Sequence, residues 1–143
     1  MSHKKGFGKH VLLDLNECDG DISSSIDTCI NFLNELPNHI SMTKITQPYV
    51  FPYSGLVPED KGITGMVIIA ESHISIHTFP LKKYVFIDIF SCKAFNCELA
   101  IEYCIKTFDS KDPSIQILDR GEKFKRSSKY LMPSNRAGIS EDI

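Results

Sequence analysis

The sequence has no long apolar run and no excess of basic residues. Its apolar segments are far shorter than the ~20 residues that a membrane-spanning helix needs, and residues 1–6 lack the apolar centre of a signal peptide. Its 16 lysines and arginines are balanced by 18 aspartates and glutamates, so there is no electrostatic case for nucleic acid binding. These absences predict a single cytoplasmic domain over 1–143, long enough to bury a core without a metal or a disulfide.

Paired cysteines are also missing. The five cysteines are odd in number and none falls in a Cys-x-x-Cys pair, so the sequence indicates neither a disulfide framework nor a zinc ribbon. Cys97 and Cys104 lie seven residues apart at helical spacing, which predicts small core residues on one helix face. Cys92 differs from them because it ends an apolar strand.

Hydrophobic periodicity predicts two helices. Apolar residues at three- and four-residue spacing indicate the first helix over 22–36, with a cap from one of the serines at 23–24 and an end at Pro37. The same spacing indicates the second helix over 96–108, for which Asn96 is the expected cap.

Strand patterns account for most of the remaining chain. Alternating or β-branched runs predict strands at 10–15, 40–45, 65–70, 74–79, 84–92 and 115–117. A long surface loop is expected at 48–61, which carries three prolines and a glycine. After Arg120 the composition becomes polar and basic, which predicts a loosely held tail over 120–143.

This order of elements favours an α/β (α+β) fold class. With two helices against five or six strands, the economical arrangement is a two-layer α/β sandwich, with a mainly antiparallel sheet and both helices on one sheet face. The opposite face of the sheet then needs a cover, and a second copy of the chain is the simplest candidate.

The stretch 70–92 carries the candidate chemistry. In an extended segment, His73, Ser75 and His77 share one face and the isoleucines between them share the other. Two histidines four residues apart chelate a metal on a helix, but on a strand they lie about 13 Å apart, too far for one ion. No Gly-x-Ser-x-Gly pattern indicates a hydrolase. From spacing alone, a polar strand face without a catalytic role stays open.

The same stretch resembles a self-processing motif. Glu-Ser-His-Ile-Ser-Ile-His-Thr-Phe-Pro at 71–80 is similar to the motif of the prokaryotic, half-size S-adenosylmethionine decarboxylase proenzymes. Gly-Lys-His at 8–10, Gly-Ile-Thr-Gly at 62–65 and Ile-Asp-Ile-Phe-Ser-Cys at 87–92 resemble further family segments in the same order. The likeness runs over 8–108.

The resemblance implies that the chain cleaves itself between Glu71 and Ser72. The Ser72 hydroxyl attacks the Glu71 carbonyl to give an ester, and elimination then converts Ser72 into a covalent pyruvoyl group. The products are a β subunit, 1–71, and an α subunit, 72–143. The pyruvoyl group is the one cofactor that the resemblance implies, and no metal is expected.

Four further residues receive roles from the resemblance. His77 matches the histidine that removes the Ser72 α-proton, and Thr64 matches the hydroxyl that stabilises the oxyoxazolidine intermediate. His73 has a supporting role. Cys92 matches the cysteine that donates a proton to the substrate after decarboxylation, which the pyruvoyl group promotes by forming a Schiff base with the substrate amine. Taken alone, each is also compatible with a purely structural position.

Two residues depart from the family pattern. Phe79 stands where the family has tryptophan, and an aromatic ring there can still stack on adenine. Leu81 stands where the family has a glutamate that binds the ribose hydroxyls, and leucine accepts no hydrogen bond. The loop 48–61 is also longer than in the family.

Because of these departures, two enzymatic activities with different substrates stay possible. The default is decarboxylation of S-adenosylmethionine to the aminopropyl donor of spermidine biosynthesis, with Glu59 or Asp60 replacing the missing glutamate. The alternative is an arginine or ornithine decarboxylase, in which these loop acids pair with the cationic end of the substrate. Tyr49 and Phe51 are candidates for stacking on the substrate. A third reading is an inactive homologue that acts as a binding subunit.

The resemblance also implies a partner. Family members of this size pair into dimers that share residues across their active sites. A homodimer of cleaved protomers acting on a small molecule is therefore expected, without nucleic acid or membrane.

Overall fold

The chain folds into one antiparallel sheet with helices on one face. The computed structural model describes residues 6–125. In chain order the elements are β1 (Gly8–Asn16), α1 (Gly20–Ser23), α2 (Ile26–His39), β2 (Thr43–Lys44), β3 (Tyr49–Tyr53), a 3₁₀ turn (Pro58–Asp60), β4 (Gly62–Ala70), β5 (Ser72–Phe79), a second 3₁₀ turn (Pro80–Lys82), β6 (Tyr84–Ser91), α3 (Cys97–Phe108) and β7 (Asp112–Arg120).

The sheet has seven strands within the described residues. Their order is β2-β4-β5-β6-β1-β7, and β3 pairs with β4 beside β2. All pairings are antiparallel. The predicted two-layer, mainly antiparallel α+β sandwich is confirmed, with β5 and β6 in the middle of the sheet.

The core lies between the helices and one face of the sheet. On β5 the fully buried residues are Ile74 and Ile76, which alternate with the half-buried or exposed histidines and serine as predicted. From the helices, Phe32 and Phe108 pack edge to face, with ring centroids 5.2 Å apart. Full burial of one such side chain contributes about 1.5–3 kcal/mol to stability.

Three cysteines belong to this core. Cys18, Cys29 and Cys104 are buried, and all five cysteines of the chain are thiols. Burial raises the pKa of Cys18 to about 11 and that of Cys29 to about 12, so neither thiol ionises at neutral pH. Cys97, on the same helix as Cys104, is only partly buried.

The start of the first helix differs from the prediction. Residues 20–23 form the separate helix α1, because the Asp19 carboxylate accepts hydrogen bonds from the backbone N–H groups of Asp21 and Ile22. Helix α2 then begins after Ser25, whose hydroxyl accepts from the Thr28 N–H at 3.2 Å. The predicted cap at 23–24 is therefore wrong, since both serines precede the capping residue.

The predicted end of this helix at Pro37 is also wrong. Helix α2 continues through Pro37 to His39. A proline in the last turn costs one backbone hydrogen bond, and here Pro37 is buried next to Leu36, so its packing offsets that loss.

The strand predictions need two corrections. Only Thr43–Lys44 of the expected strand 40–45 pairs with the sheet, since Ser41 adopts a positive φ of 57° just before it. Conversely, the expected loop at 48–61 contains β3, in which Pro52 is tolerated because β3 lies at the sheet edge.

The residues after β7 are described only in part. Arg120 ends β7, and Phe124 packs on Phe7 with ring centroids 4.8 Å apart. The rest of the predicted tail, 126–143, lies outside the described residues.

The second face of the sheet carries polar residues among apolar ones. Its apolar members include Met66, Ile68 and Phe86, which stay between 37% and 40% exposed. This face is called the open face below. No helix within residues 6–125 is long and apolar enough to cross a membrane.

Candidate active site

The hairpin between β4 and β5 contains the predicted cleavage position. Ile69 pairs with Ser72, so only Ala70, which ends β4, and Glu71 lie between these paired residues. The predicted strands 65–70 and 74–79 left three residues, 71–73, between them, so the observed corner is tighter and Ser72 is already the first residue of β5. Ser72 has a φ of 134°, a value that residues with a Cβ rarely adopt. The backbone is thus strained at the residue expected to attack its neighbour's carbonyl.

Cys92 lies at the same corner. Ser91 on β6 is paired with Ser72, so the residue after Ser91 comes next to the hairpin loop. The Cys92 backbone N–H donates to the Glu71 carbonyl oxygen at 3.3 Å. A donor aimed at this oxygen can stabilise negative charge that develops there. The structure therefore brings Glu71, Ser72 and Cys92 together from two strands.

Thr64 and His77 form a second cluster on the open face. They are cross-strand partners on β4 and β5, with 3.3 Å between Thr64 Oγ1 and His77 Nδ1. His77 is exposed. Along β5, however, His77 follows Ser72 by five residues, which is about 16 Å at the rise of an extended strand. A single chain therefore does not bring His77 or Thr64 to Ser72.

His73 lies beside a hydrogen-bonded network on the open face. Its ring is 6.0 Å from that of Phe90, and the Arg120 guanidinium carbon lies 4.1 Å above the Phe90 ring. His10 Nε2 is 3.0 Å from Asp88 Oδ1, and His10 Nδ1 is 3.4 Å from Arg120 Nη1. These contacts join His10 to both Asp88 and Arg120.

A cleft of about 440 Å³ opens at the end of the sheet where β3, β4 and β5 meet. The residues that line it include three aromatic side chains, the Thr64–His77 pair and one carboxylate: Phe51, Tyr53, Phe79, Thr64, His77 and Asp60. The Asp60 carboxylate is 2.8 Å from Lys82 Nζ, and that of Glu59 is 3.9 Å from the same atom. Leu81 is 70% exposed and is not part of the lining.

Comparison with known proteins identifies the family. The sequence model of the S-adenosylmethionine decarboxylase family matches residues 9–121. The chain belongs to the S-adenosylmethionine decarboxylase family. The S-adenosylmethionine decarboxylase proenzyme of Thermodesulfovibrio yellowstonii is 32% identical over 117 residues, which cover 80% of this chain and 81% of that protein. The proenzyme of Thermococcus kodakarensis is 30% identical over 85% of this chain and 81% of that protein.

A solved structure agrees with this assignment. The crystal structure of the adenosylmethionine decarboxylase from Aquifex aeolicus superposes with a TM-score of 0.69 at 27% identity. The match covers 82% of this chain and 92% of that one. The resemblance drawn from the motifs is thus confirmed by both sequence and fold.

The structure places the predicted site residues in two groups. Glu71, Ser72 and Cys92 meet at the hairpin corner, whereas Thr64 and His77 meet in the cleft. Phe51, Phe79 and Asp60 line the cleft with the second group. Tyr49 is on β3 but does not line the cleft, and Glu59 also lies outside the lining.

Sequence reasoning assigned no role to His10, Asp88 or Arg120. A signal was present for two of them, since His10 belongs to the Gly-Lys-His segment and Asp88 is the one charged residue of an otherwise apolar strand. Arg120 gave no signal, because it comes from a distant strand and meets His10 only through the pairing of β1 with β7.

The environment of His73 predicts a pH effect on stability. Burial, and then the charges of His10 and Arg120, lower the pKa of His73 below its usual 6.5, while Asp88 opposes them. The unfolded chain therefore binds this proton more readily than the folded chain, so stability is present above the unfolded pKa and is lost as the pH falls below it. We expect the free energy of unfolding to decrease between about pH 7 and pH 5, with a shallower decrease in His73→Asn. Urea titrations at several pH values in this range measure the free energy of unfolding. An equal decrease with pH in the wild type and in His73→Asn would contradict the prediction.

Proposed function

We propose that the chain is a cytoplasmic, self-processing S-adenosylmethionine decarboxylase of polyamine biosynthesis. It converts its substrate to the aminopropyl donor for spermidine and carries a pyruvoyl group made from Ser72. The observation that carries the proposal is the hairpin corner, where a backbone N–H holds the carbonyl of Glu71 beside a strained Ser72. Family membership and relatives named proenzymes support it.

The proposed self-cleavage begins with the groups at this corner. Ser72 Oγ attacks the Glu71 carbonyl carbon, and the Cys92 N–H stabilises the oxyanion. The C–N bond then breaks, which leaves Glu71 esterified to the Ser72 oxygen and frees the Ser72 amine. Removal of the Ser72 α-proton expels Glu71 as a carboxylate. Water then hydrolyses the dehydroalanine that remains, ammonia leaves, and the pyruvoyl group is formed.

The base for α-proton removal comes from a second copy of the chain. Within one chain about 16 Å of extended strand separates His77 from Ser72. The Thr64–His77 pair lies on the open face, which keeps Met66, Ile68 and other apolar residues exposed, and the hairpin corner lies at the opposite end of the same two strands. Two open faces packed together cover these residues and let the corner of one copy meet the Thr64–His77 pair of the other. The site is then shared across a homodimer.

The residues at the corner fit a pyruvoyl group at position 72. Ser72 is half-buried, which restricts access of water, and Cys92 adjoins it. The pyruvoyl group, once formed, supplies the electron sink for loss of carbon dioxide. The Cys92 thiol then donates the proton that the substrate Cα requires.

Removal of the Cys92 side chain is expected to separate the two reactions. In Cys92→Ala the backbone N–H on the Glu71 carbonyl is retained, so self-cleavage continues. Decarboxylation loses its proton donor and is expected to fall by about 10²–10⁴-fold. Gel analysis of cleavage and measurement of released carbon dioxide check the two halves. An unchanged rate of decarboxylation in the cleaved variant would show that the Cys92 thiol is not the proton donor.

The substrate is tested by carbon dioxide release from S-adenosylmethionine, arginine and ornithine, each supplied separately to the purified chain. The proposal predicts release from S-adenosylmethionine alone. Release from arginine or ornithine alone would replace the proposed substrate with a basic amino acid. A cleaved chain that releases nothing from any of the three would contradict the proposed activity.

A further inference from the structure

The cleft contains one carboxylate among aromatic walls. Phe51 and Phe79 both line the cleft, and Asp60 lines it from the 3₁₀ turn that precedes β4. Flat aromatic side chains suit a purine base, and a carboxylate accepts two hydrogen bonds from a vicinal diol. The lining thus offers both recognition elements of a nucleoside.

Lys82 determines what Asp60 can bind. The lysine ammonium lies 2.8 Å from the Asp60 carboxylate and 3.9 Å from that of Glu59. An ionised carboxylate has about four lone-pair sites, so a hydrogen bond from Lys82 leaves room for two hydroxyl donors. The neighbouring ammonium, however, repels a second cation. The pair therefore suits a neutral diol better than the charged end of arginine or ornithine.

The position of Leu81 agrees with a binding role for Asp60. It is 70% exposed on the turn Pro80–Lys82 and contributes nothing to the lining of the cleft. The next residue, Lys82, instead reaches the acidic turn Pro58–Asp60 and ties the two turns together. The cleft therefore receives its carboxylate from Asp60 in the loop 48–61, because Leu81 cannot supply one.

We propose that Asp60, oriented by Lys82, is the carboxylate that binds the ribose hydroxyls of the substrate and disfavours basic amino acids. The inference rests on the proposed function, because it takes the substrate to be S-adenosylmethionine. Asp60 acts in binding and specificity and does not touch the bonds that break.

The direct test compares two neutral nucleosides that differ only in the diol. Adenosine and 2′,3′-dideoxyadenosine are titrated calorimetrically into the cleaved wild-type enzyme and into Asp60→Ala and Asp60→Asn. In the wild type we expect adenosine to bind about 10- to 100-fold more tightly, as charge-assisted hydrogen bonds require. In Asp60→Ala this preference is expected to disappear, whereas the binding of dideoxyadenosine is unchanged. Asp60→Asn keeps the side-chain shape and is expected to retain only part of the preference.

The matched control is Asp119→Ala. Asp119 also pairs with a lysine, at 2.7 Å from Lys9 Nζ, but it lies on β7 at the far edge of the sheet. We expect this variant to bind both nucleosides as the wild type does. Retention of self-cleavage reports that each variant is folded.

Lys82→Ala provides a second readout. Without the ammonium, Asp60 is expected to accept a cation, so arginine should become a better competitive inhibitor while the affinity for adenosine falls only a few-fold.

The outcomes separate this inference from the proposed function. An Asp60→Ala enzyme that still prefers adenosine would overturn the role of Asp60 alone. The role of Asp60 would also be overturned by a wild-type enzyme that cleaves itself but binds neither nucleoside, or that binds the two nucleosides equally well. A wild-type chain that neither cleaves itself nor binds adenosine would overturn the proposed function as well.

Discussion

Replacement of Ser72 by alanine is expected to leave the chain as a single polypeptide without decarboxylase activity. Alanine provides no hydroxyl to attack the Glu71 carbonyl, and it has no oxygen from which an electrophilic ketone can form. The effect should be complete, since no other group at the corner can supply both functions. Denaturing gel electrophoresis after prolonged incubation measures cleavage, and carbon dioxide release from S-adenosylmethionine measures activity.

Ser75→Ala is the matched control for this experiment. Ser75 is a half-buried serine on the same strand, opposite Asp88 and away from the hairpin corner. This variant should cleave itself and decarboxylate as the wild type does. Cleavage at residue 71 in Ser72→Ala would show that the attacking group lies elsewhere.

Coexpression of two inactive chains is expected to restore processing. A Ser72→Ala chain keeps its Thr64–His77 pair, and a His77→Ala chain keeps its Ser72. In a mixed dimer one shared site contains both defects, whereas the other combines the intact Ser72 with the intact His77. With random pairing, about half of the His77→Ala chains should then form the pyruvoyl fragment. Alone, the His77→Ala chain should do so about 10²–10⁴-fold more slowly.

Affinity tags of different mass distinguish the two chains in this experiment. The control pairs His77→Ala with a chain carrying both substitutions, so that Ser72 is present but no intact His77 exists. If this control matches the mixed pair, or if mixing restores nothing, His77 does not act across the dimer. Restoration confined to the His77→Ala chain is the expected result, because about 16 Å of extended strand separates His77 from Ser72 within one chain.

The central strands could be predicted from the sequence because each carries a clear alternation. Ile74 and Ile76 face the helices and the histidines between them face outward, as a period of two demands. The cap of α3 could also be predicted, since Asn96 accepts a hydrogen bond from the Leu99 N–H at 3.0 Å. In both cases local chemistry and tertiary packing agree.

Other elements could not be predicted because tertiary contacts decide them. The prolines of 48–61 indicated a loop, yet the edge of β4 supplies partners for Tyr49–Tyr53. Pro37 indicated a helix end, yet burial keeps it within α2. In each case pairing or packing outweighs a residue's local preference.

The candidate site was predicted by residue type but not by arrangement. Residues 71–80 read as one motif, although an extended strand places His77 far from Ser72. We propose that these residues act together across two copies of the chain, an arrangement that the motif resemblance implied but that residue spacing along one chain does not show. The Asp60–Lys82 contact likewise joins two turns that are separate in the sequence.

The most direct test of the central claim is the intact mass of the purified wild-type chain under denaturing conditions. Self-processing predicts two fragments, 1–71 and 72–143, the second with a ketone in place of an amino group at its N-terminus. A single species with the mass of the full chain, unchanged after long incubation, would contradict the claim that this chain makes its own electrophile.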